Sequence, residues 1–327
     1  MRGCGIAVDW DDAARTPVRM EAVVTVSALF LAIFLGGASA SFALDGSTPT
    51  NPPEKISPET FTSAREALRA GVDDLLNGDA QSSLRALTYA ADGGEPLARW
   101  KLGNLYATGD LVPRNDALAY KYFEQLVESY NEDDFDRRDL GAVSNAFVAV
   151  GLYSLAGIPD TDIKADPERA LEMFQVAATD FGDPEAQYRL ARMYLEGSAG
   201  LAKDNMRAAR WLGLAAEKGH HGAEALLGDL LFRGDGVPRQ RARGLVLLSI
   251  AASGGKGPKD AWIRDLHGKD FAAASDDDRE VATLYLNTHG KEGDIPRAGA
   301  LRAVKPPLSL PSGGAGAMVV SAPPPAE

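Results

Sequence analysis

The sequence predicts an all-α fold, a right-handed α-solenoid in which about five pairs of antiparallel helices are stacked. The main evidence is a repeated pattern, in which an apolar residue and a small one are followed six residues later by glycine. The pattern occurs four times, at Leu102-Gly103, Val150-Gly151, Leu190-Ala191 and Leu227-Gly228, with its glycines at Gly109, Gly157, Gly197 and Gly234. The last two of these glycines are 37 residues apart, the length of a helix pair with its loops. No sustained alternation of apolar and polar residues, the pattern of a half-buried strand, is present.

The first helix of each pair is predicted from apolar periodicity. In the segment ARWKLGNLYATG, apolar and small residues recur at helical spacing from Ala98 to Tyr106, and Gly109 follows as the glycine that ends the helix. Gly103 stands inside this predicted helix, where glycine costs about 1 kcal/mol relative to alanine. We therefore expect the partner helix to approach Gly103, and the equivalent Gly228, so closely that no side chain fits between the two helices.

The second helices are predicted from their start signals and their aromatic residues. An N-cap carboxylate before a proline at the first helical position is a strong start signal. It occurs at Asp166-Pro167 and at Asp183-Pro184, and we assign both starts to second helices. Three large aromatic residues at comparable places in these helices are predicted to lie in the core: Phe123, Phe174 and Trp211.

Four segments make up the predicted domain organisation. Residues 1–40 are predicted to be a secretory signal peptide, because the apolar run Ala22–Leu35 follows basic residues and precedes small-residue cleavage patterns ending at Ala40 and Ala43. Residues 41–58 are a proline-rich linker, residues 59–289 the solenoid with a helical cap near Pro258–His289, and residues 290–327 a disordered Pro/Gly-rich tail. We therefore expect a periplasmic protein, cleaved near Ala40 or Ala43, with an uncleaved membrane anchor as the alternative.

Charge and cysteine content exclude several classes of function. The chain has 34 Lys and Arg against 46 Asp and Glu, a net charge of −12, so binding to nucleic acid through neutralised phosphates is not expected. The single cysteine, Cys4, excludes a disulfide framework and a zinc site built on cysteines.

No catalytic residue, metal site or cofactor is predicted. Of the four histidines, His220 and His221 are adjacent and do not share a helix face, so we interpret them as solvated turn residues. The acidic insertion NEDDFDRRD at residues 131–139 lacks the alternating oxygen ligands and terminal glutamate of an EF-hand, and we interpret it as a solvated loop. Motifs for nucleophilic catalysis and phosphate binding are missing from the sequence.

The repeat itself resembles a known family. The segment AQYRLARMYLEGSAGLAKDNMRAARWLGLAAEKGHHGA is similar to a Sel1-like repeat, a relative of the tetratricopeptide repeat, and the resemblance extends over residues 78–254. The second repeat departs from the pattern, with Ser154 where Tyr106 and Tyr194 stand elsewhere. The resemblance implies a protein–protein interaction module.

A second resemblance concerns the order of the segments. The stretches LRALTYAADGGEPLARWKLGNLYATGD, VSNAFVAVGLYSLAGIP, AARWLGLAAEKGHHGA and AWIRDLHGKDFAAASDDDR resemble the secreted rhizobial regulators of exopolysaccharide synthesis. This implies a periplasmic repressor that binds the periplasmic domain of a membrane sensor histidine kinase, with a periplasmic protease as a second partner. Two alternatives stay open at this point: a structural scaffold of an exopolysaccharide export or envelope-assembly complex, and a glycan-processing enzyme.

Candidate partner-binding residues can be named if the helices are arranged as in tetratricopeptide repeats. In that arrangement, certain positions of the first helices point into the concave groove of the solenoid, where partners bind. These positions hold Trp100, Asn104, Tyr188, Arg192 and Asp229. A purely structural role for each of them remains the alternative.

Overall fold

The computed structural model describes residues 61–131 and 136–289, and all regular secondary structure in these ranges is helical. The predicted signal peptide, linker and tail lie outside the described residues, and so do residues 59–60, the first two of the predicted solenoid. The twelve described α-helices are α1 (Ala64–Leu76), α2 (Ala80–Asp92), α3 (Pro96–Thr108), α4 (Asp116–Glu128), α5 (Leu140–Ala156), α6 (Pro167–Thr179), α7 (Pro184–Glu196), α8 (Asn205–Ala216), α9 (His221–Arg233), α10 (Arg241–Gly254), α11 (Ala261–Ala273) and α12 (Asp276–His289). A 3-10 turn, Pro258–Asp260, precedes α11.

The helices pack in sequence order as five pairs. The largest interfaces are α1 with α2, α3 with α4, α5 with α6, α7 with α8 and α9 with α10. Each pair then packs on the next one, through α2 and α3, α4 and α5, α6 and α7, and α8 and α9. The all-α class and the solenoid of stacked helix pairs are thus confirmed.

Glycines end the first helices as predicted. Gly109, Gly197 and Gly234 have left-handed backbones, with φ of 76°, 72° and 73°. Each donates its N–H to the carbonyl group four residues earlier. Because a side chain strains this backbone conformation, glycine is the residue that fits these positions.

Both predicted N-caps are present, but one of them begins a first helix and not, as predicted, a second helix. Asp166 accepts a hydrogen bond from the N–H of Arg169 at 2.9 Å and begins α6, a second helix. Asp183 accepts from the N–H of Ala186 at 2.9 Å and begins α7, which is the first helix of its pair. The assignment of Asp183 to a second helix was therefore wrong, because both kinds of helix use the same capping chemistry.

Glycines inside the first helices lie against the second helices. A Cβ atom on Gly103 would stand 2.5 Å from Cε1 of Phe123, and one on Gly151 would stand 2.6 Å from Cε1 of Phe174. On Gly228 it would stand 2.8 Å from the carbonyl oxygen of Gly244. The expected close approach of paired helices is confirmed at these positions.

One of the three predicted core aromatics packs against the core without being fully buried in it. Phe123 and Phe174 are fully buried, eight residues after their N-caps, but the residue eight after the N-cap Asp204 is Leu212. Leu212 is fully buried and Trp211 is only half-buried. Trp211 still packs against the core, but at its edge, because neighbouring residues on a helix point about 100° apart and the fully buried position is that of Leu212.

The terminal cap does not continue the pairwise pattern. Both α11 and α12 pack on α10. In α10 four consecutive residues, Leu245 to Leu248, are therefore buried, as expected for a helix that is covered on several sides. Within the described residues, none of the helices combines the length and the apolar composition that a membrane crossing requires.

Candidate functional site

Two of the predicted binding residues form one group on α3. Trp100 is half-buried, and Asn104 donates a hydrogen bond from its side chain to the carbonyl oxygen of Trp100 at 2.9 Å. The ammonium nitrogen of Lys101 lies 5.8 Å from the centre of the indole ring. Burial lowers the pKa of Lys101, and no carboxylate among the described residues pairs with it. This group presents an aromatic ring and a cation that is not neutralised within the described part of the chain.

A second group lies on α7 around Tyr188, which is buried. The guanidinium carbons of Arg189 and Arg192 lie 5.7 and 5.9 Å from the centre of the phenol ring. The imidazole of His220 stacks on the same ring, with centroids 4.5 Å apart and planes inclined by 26°. The predicted residues Tyr188 and Arg192 are thus in contact, and three basic side chains surround the ring.

His220 connects this group to the next helix pair. Its Nε2 lies 2.8 Å from a carboxylate oxygen of Glu185, and its Nδ1 accepts a hydrogen bond from the N–H of Ala223 at 3.1 Å. His220 is therefore the N-cap of α9, and its interpretation as a solvated turn residue was wrong. The other residue of the pair, His221, lies 3.1 Å from a buried carboxylate, that of Glu224, whose hydrogen bond raises the pKa of His221.

Glu185 is held as a carboxylate by its partners. Burial works to raise its pKa, but the hydrogen bond with His220 and the charge of Arg189 outweigh burial and lower the pKa to about 2. The Arg189 Nε lies 2.6 Å from the second carboxylate oxygen. Because about a third of the Glu185 side chain is exposed, at 36%, this network positions the groups more than it stabilises the fold.

The fifth predicted residue, Asp229, faces the cap. It lies on α9, 2.6 Å from the guanidinium of Arg233, and the carboxyl group of Asp270 on α11 lies beside it. Burial raises the pKa of Asp229 to about 7, the Asp270 carboxyl adds to the rise, and the Arg233 charge opposes it. Asp270 is only 3% exposed. Asp229 is therefore part of a buried carboxyl pair that joins the last repeat to the cap.

The structure thus places the five predicted residues in three groups, on α3, α7 and α9. Sequence reasoning missed the residues that complete them: Glu185, Arg189, His220 and Asp270. The spacing of Glu185 and Arg189, four residues apart on one helix face, was an available signal. The partners of His220 and Asp270 come from other helices, and no local pattern indicates them. In residues 61–131 and 136–289 no group of three or more His, Cys, Asp or Glu is arranged to hold a metal ion.

Comparison with known proteins defines the class first. The family model described as the Sel1 repeat matches residues 96–129, 144–180, 184–220 and 221–256. The four matches coincide with α3 and α4, α5 and α6, α7 and α8, and α9 and α10. The fold and the repeats together define a Sel1 repeat solenoid.

Two relatives show more specifically which group of Sel1 repeat proteins the chain is similar to. It is 36% identical over 220 residues to the exopolysaccharide production negative regulator of Rhizobium meliloti (strain 1021), covering 67% of this chain and 79% of the relative. It is 35% identical over 207 residues to the protein of the same name from Rhizobium leguminosarum bv. viciae, covering 63% and 74%. The chain therefore belongs to the family of Sel1 repeat proteins that includes these two regulators.

Among solved structures, the fold is similar to that of a protective antigen from uropathogenic Escherichia coli strains, described as displaying an SLR fold. The TM-score is 0.55 at 23% sequence identity, over 77% of this chain and 51% of the other. This similarity supports the fold alone.

Proposed function

We propose that the protein is a negative regulator of exopolysaccharide production and that it acts by binding another protein. The observation that carries this proposal is the identity of 36% to a regulator of that name, over 79% of the regulator's length. Repeat solenoids offer extended surfaces for partners, which is consistent with a regulator that works by contact. The same fold argues against an enzyme, because catalysis needs a preorganised constellation of groups.

The proposed partner is the periplasmic domain of a membrane sensor histidine kinase. The predicted signal peptide at residues 1–40 supports a periplasmic location. In this scheme the free regulator holds the kinase in its inactive state, which requires tighter binding to that state than to the active one. Removal of the regulator, by a periplasmic protease, releases the kinase.

The proposed contact surface consists of the predicted groups on α3 and α7. Tryptophan, tyrosine and arginine dominate the binding energy of protein interfaces, and both groups combine an aromatic ring with a nearby cation. These pairs are Trp100 with Lys101, and Arg192 with Tyr188. The Tyr188 ring is buried, so Arg192 is the member of the second pair that reaches the surface. The ammonium group of Lys101 also suits an acidic partner surface, whereas Arg192 already pairs with Glu196 at 3.4 Å.

Substitution in these two groups tests the contact surface. Trp100→Ala and Arg192→Glu are each expected to weaken binding to the purified kinase domain at least tenfold, since each removes a ring or reverses a charge at the contact. Trp262→Ala and Arg207→Glu serve as matched controls, because Trp262 is 37% exposed on α11 and Arg207 is 62% exposed on α8. Binding is measured by isothermal titration, and circular dichroism checks that each variant is folded.

Three results contradict the proposal. If the test and control variants bind the kinase domain with equal affinity, the contact surface does not lie on α3 and α7. Recovery of export components without a kinase, when the full chain is purified with solubilised envelope, favours a structural scaffold. Degradation of exopolysaccharide by the purified protein favours an enzyme.

A further inference from the structure

Two exposed apolar surfaces in the C-terminal part of the solenoid are not used by the proposed function. On α8, Met206 and Leu214 are 41% and 38% exposed, and on α12, Val281 and Leu284 are 40% and 65% exposed. The other four large apolar side chains that are exposed within the described residues are scattered over α1, α5, α11 and a loop. Pairs of exposed apolar side chains on one helix are typical of a surface that binds another protein.

The α8 surface consists of Met206, Arg210 and Leu214. These residues are four positions apart, so they lie on one face of the helix, at two, six and ten positions after the N-cap Asp204. The same positions hold Ala117, Lys121 and Gln125 in α4, and Glu168, Glu172 and Val176 in α6. Of these three second helices, α8 is therefore the one that presents two large apolar side chains.

In α10 the same positions are covered by the cap. Two of them, Val246 and Ile250, are only 3% and 7% exposed. They belong to one apolar cluster with Ala282 of α12, and Tyr285 and Leu286 of α12 pack against that cluster. Helix α12 therefore lies on the outer side of α10. Equivalent positions of stacked repeats face the same way, so the α8 surface opens on the side of the molecule where α12 lies.

Helix α12 has apolar residues on its exposed side as well. Its buried side contains Ala282, which is fully buried. Val281 and Leu284 are three positions apart and form the α12 surface, which no other described element covers. A surface helix normally has one apolar stripe, and apolar residues on two sides are typical of a helix that is covered on both.

The two surfaces carry opposite charges. The exposed guanidinium of Arg210 lies between Met206 and Leu214 and has no ion-pair partner among the described residues. Asp277 and Glu280 are exposed on the same side of α12 as its apolar surface, and they too lack a partner within the described part of the chain. A cation between apolar residues on α8 thus complements carboxylates beside apolar residues on α12. Within one chain both surfaces stay exposed, so this complementarity fits a second copy.

We propose that a second copy of this chain covers both surfaces, with α12 of each copy packed on α8 of the other about a twofold axis and Glu280 of one copy paired with the partner's Arg210. In a twofold dimer each contact is made twice, so the interface gains twice the apolar area of one contact. The ion pairs fix the orientation of the copies more than they add affinity. The inference does not rest on the proposed function.

Sedimentation velocity over a concentration series tests the dimer, using the full chain exported to the periplasm of an expression host and purified from it. The parent chain is expected to form a dimer. Leu284→Asp is expected to raise the dissociation constant of the dimer at least tenfold, because it places a carboxylate in the apolar contact. Leu76→Asp is the matched control and is expected to leave the constant unchanged, since Leu76 is 80% exposed on α1, at the other end of the solenoid. Circular dichroism checks that each variant is folded.

Charge reversal tests which residues meet. Arg210→Glu and Glu280→Arg are each expected to raise the dissociation constant at least tenfold, because like charges then face each other at both contacts. An equimolar mixture of the two variant chains is expected to dimerise within threefold of the parent, because opposite charges meet at both contacts of the mixed dimer. Lys121→Glu, at the equivalent position of α4, is expected to have no effect.

Four results overturn the proposal. A parent chain that stays monomeric throughout the series assigns the two surfaces to another occupant. A dimer that tolerates Leu284→Asp is held together elsewhere. A mixture that associates no better than either variant alone shows that Arg210 and Glu280 do not meet between copies. Oligomers larger than a dimer exclude the twofold arrangement.

Discussion

Small residues in the first helices determine how closely the paired helices approach. Phe123 and Phe174 lie with their rings against the backbone of Gly103 and Gly151. In the fourth repeat the contact is between two backbones, at Gly228 and Gly244. The cost of glycine in a helix is thus offset at each position by the packing of the facing residue.

Gly228→Val is predicted to destabilise the protein by about 1–3 kcal/mol, because the added atoms overpack a rigid contact with the Gly244 carbonyl oxygen. The control Gly268→Val, at an open helical position, is expected to change stability by less than about 0.5 kcal/mol. Urea denaturation followed by circular dichroism measures both. If Gly228→Val unfolds at the same urea concentration as the parent protein, the close packing of α9 and α10 is contradicted.

At the scale of the helices, capping and side-chain contacts between units set where each element begins. Helix α9 starts at His220, whose ring accepts from the N–H of Ala223, stacks on Tyr188 of α7 and contacts Glu185. One side chain therefore both caps a helix and fastens it to the previous repeat. In the array such contacts between neighbours supply much of the stability, since each unit touches only the next.

His220→Ala is predicted to destabilise the protein by about 1–2 kcal/mol, because it removes the N-cap and the contacts to α7. His220→Asn keeps a side chain that caps well but lacks the contact with Glu185, so its loss is expected to be smaller. Chemical denaturation at pH 7 measures the order of the two variants. Equal losses for both would mean that the cap contributes nothing measurable and that the contacts to α7 account for the effect.

At the scale of the whole molecule, the cap closes the solenoid through a pair of buried acids. Asp229 of the last repeat and Asp270 of α11 lie together with limited access to water. Burial raises the pKa of Asp229, and the neighbouring Asp270 carboxyl group adds to the rise. The junction between repeats and cap therefore depends on pH.

The stability of the parent protein is predicted to fall by about 2 kcal/mol between pH 5 and pH 8 through Asp229. The pKa of Asp229 is raised in the folded state, to about 7, so the folded form binds this proton more tightly than the unfolded form does. The stabilisation is fully present below the unfolded pKa, near 4, and is lost as the pH rises through 7.

Asp229→Asn is expected to remove most of this pH dependence, so that it stabilises the protein more at pH 8 than at pH 5. The control is Asp265→Asn, which changes an exposed carboxylate on α11. Thermal melts of the three proteins across this pH range test the prediction. A difference between Asp229→Asn and the parent that stays constant with pH contradicts the buried acid pair.

Less of the candidate site than of the fold could be predicted from the sequence. Trp100, Asn104, Tyr188, Arg192 and Asp229 were found by their positions in the repeat. Their partners were not found when they came from another helix, as with His220 and Asp270.

By itself, the sequence determined the all-α class, the pairing of helices and the glycines and acidic caps at their ends, because these depend on local periodicity and on backbone chemistry within a few residues. Only the tertiary structure decided that Leu212 rather than Trp211 fills the core, that Asp183 caps a first helix, and that α11 and α12 both pack on α10. These outcomes depend on which helix face meets which neighbour, and that is set by packing between residues that are distant in sequence.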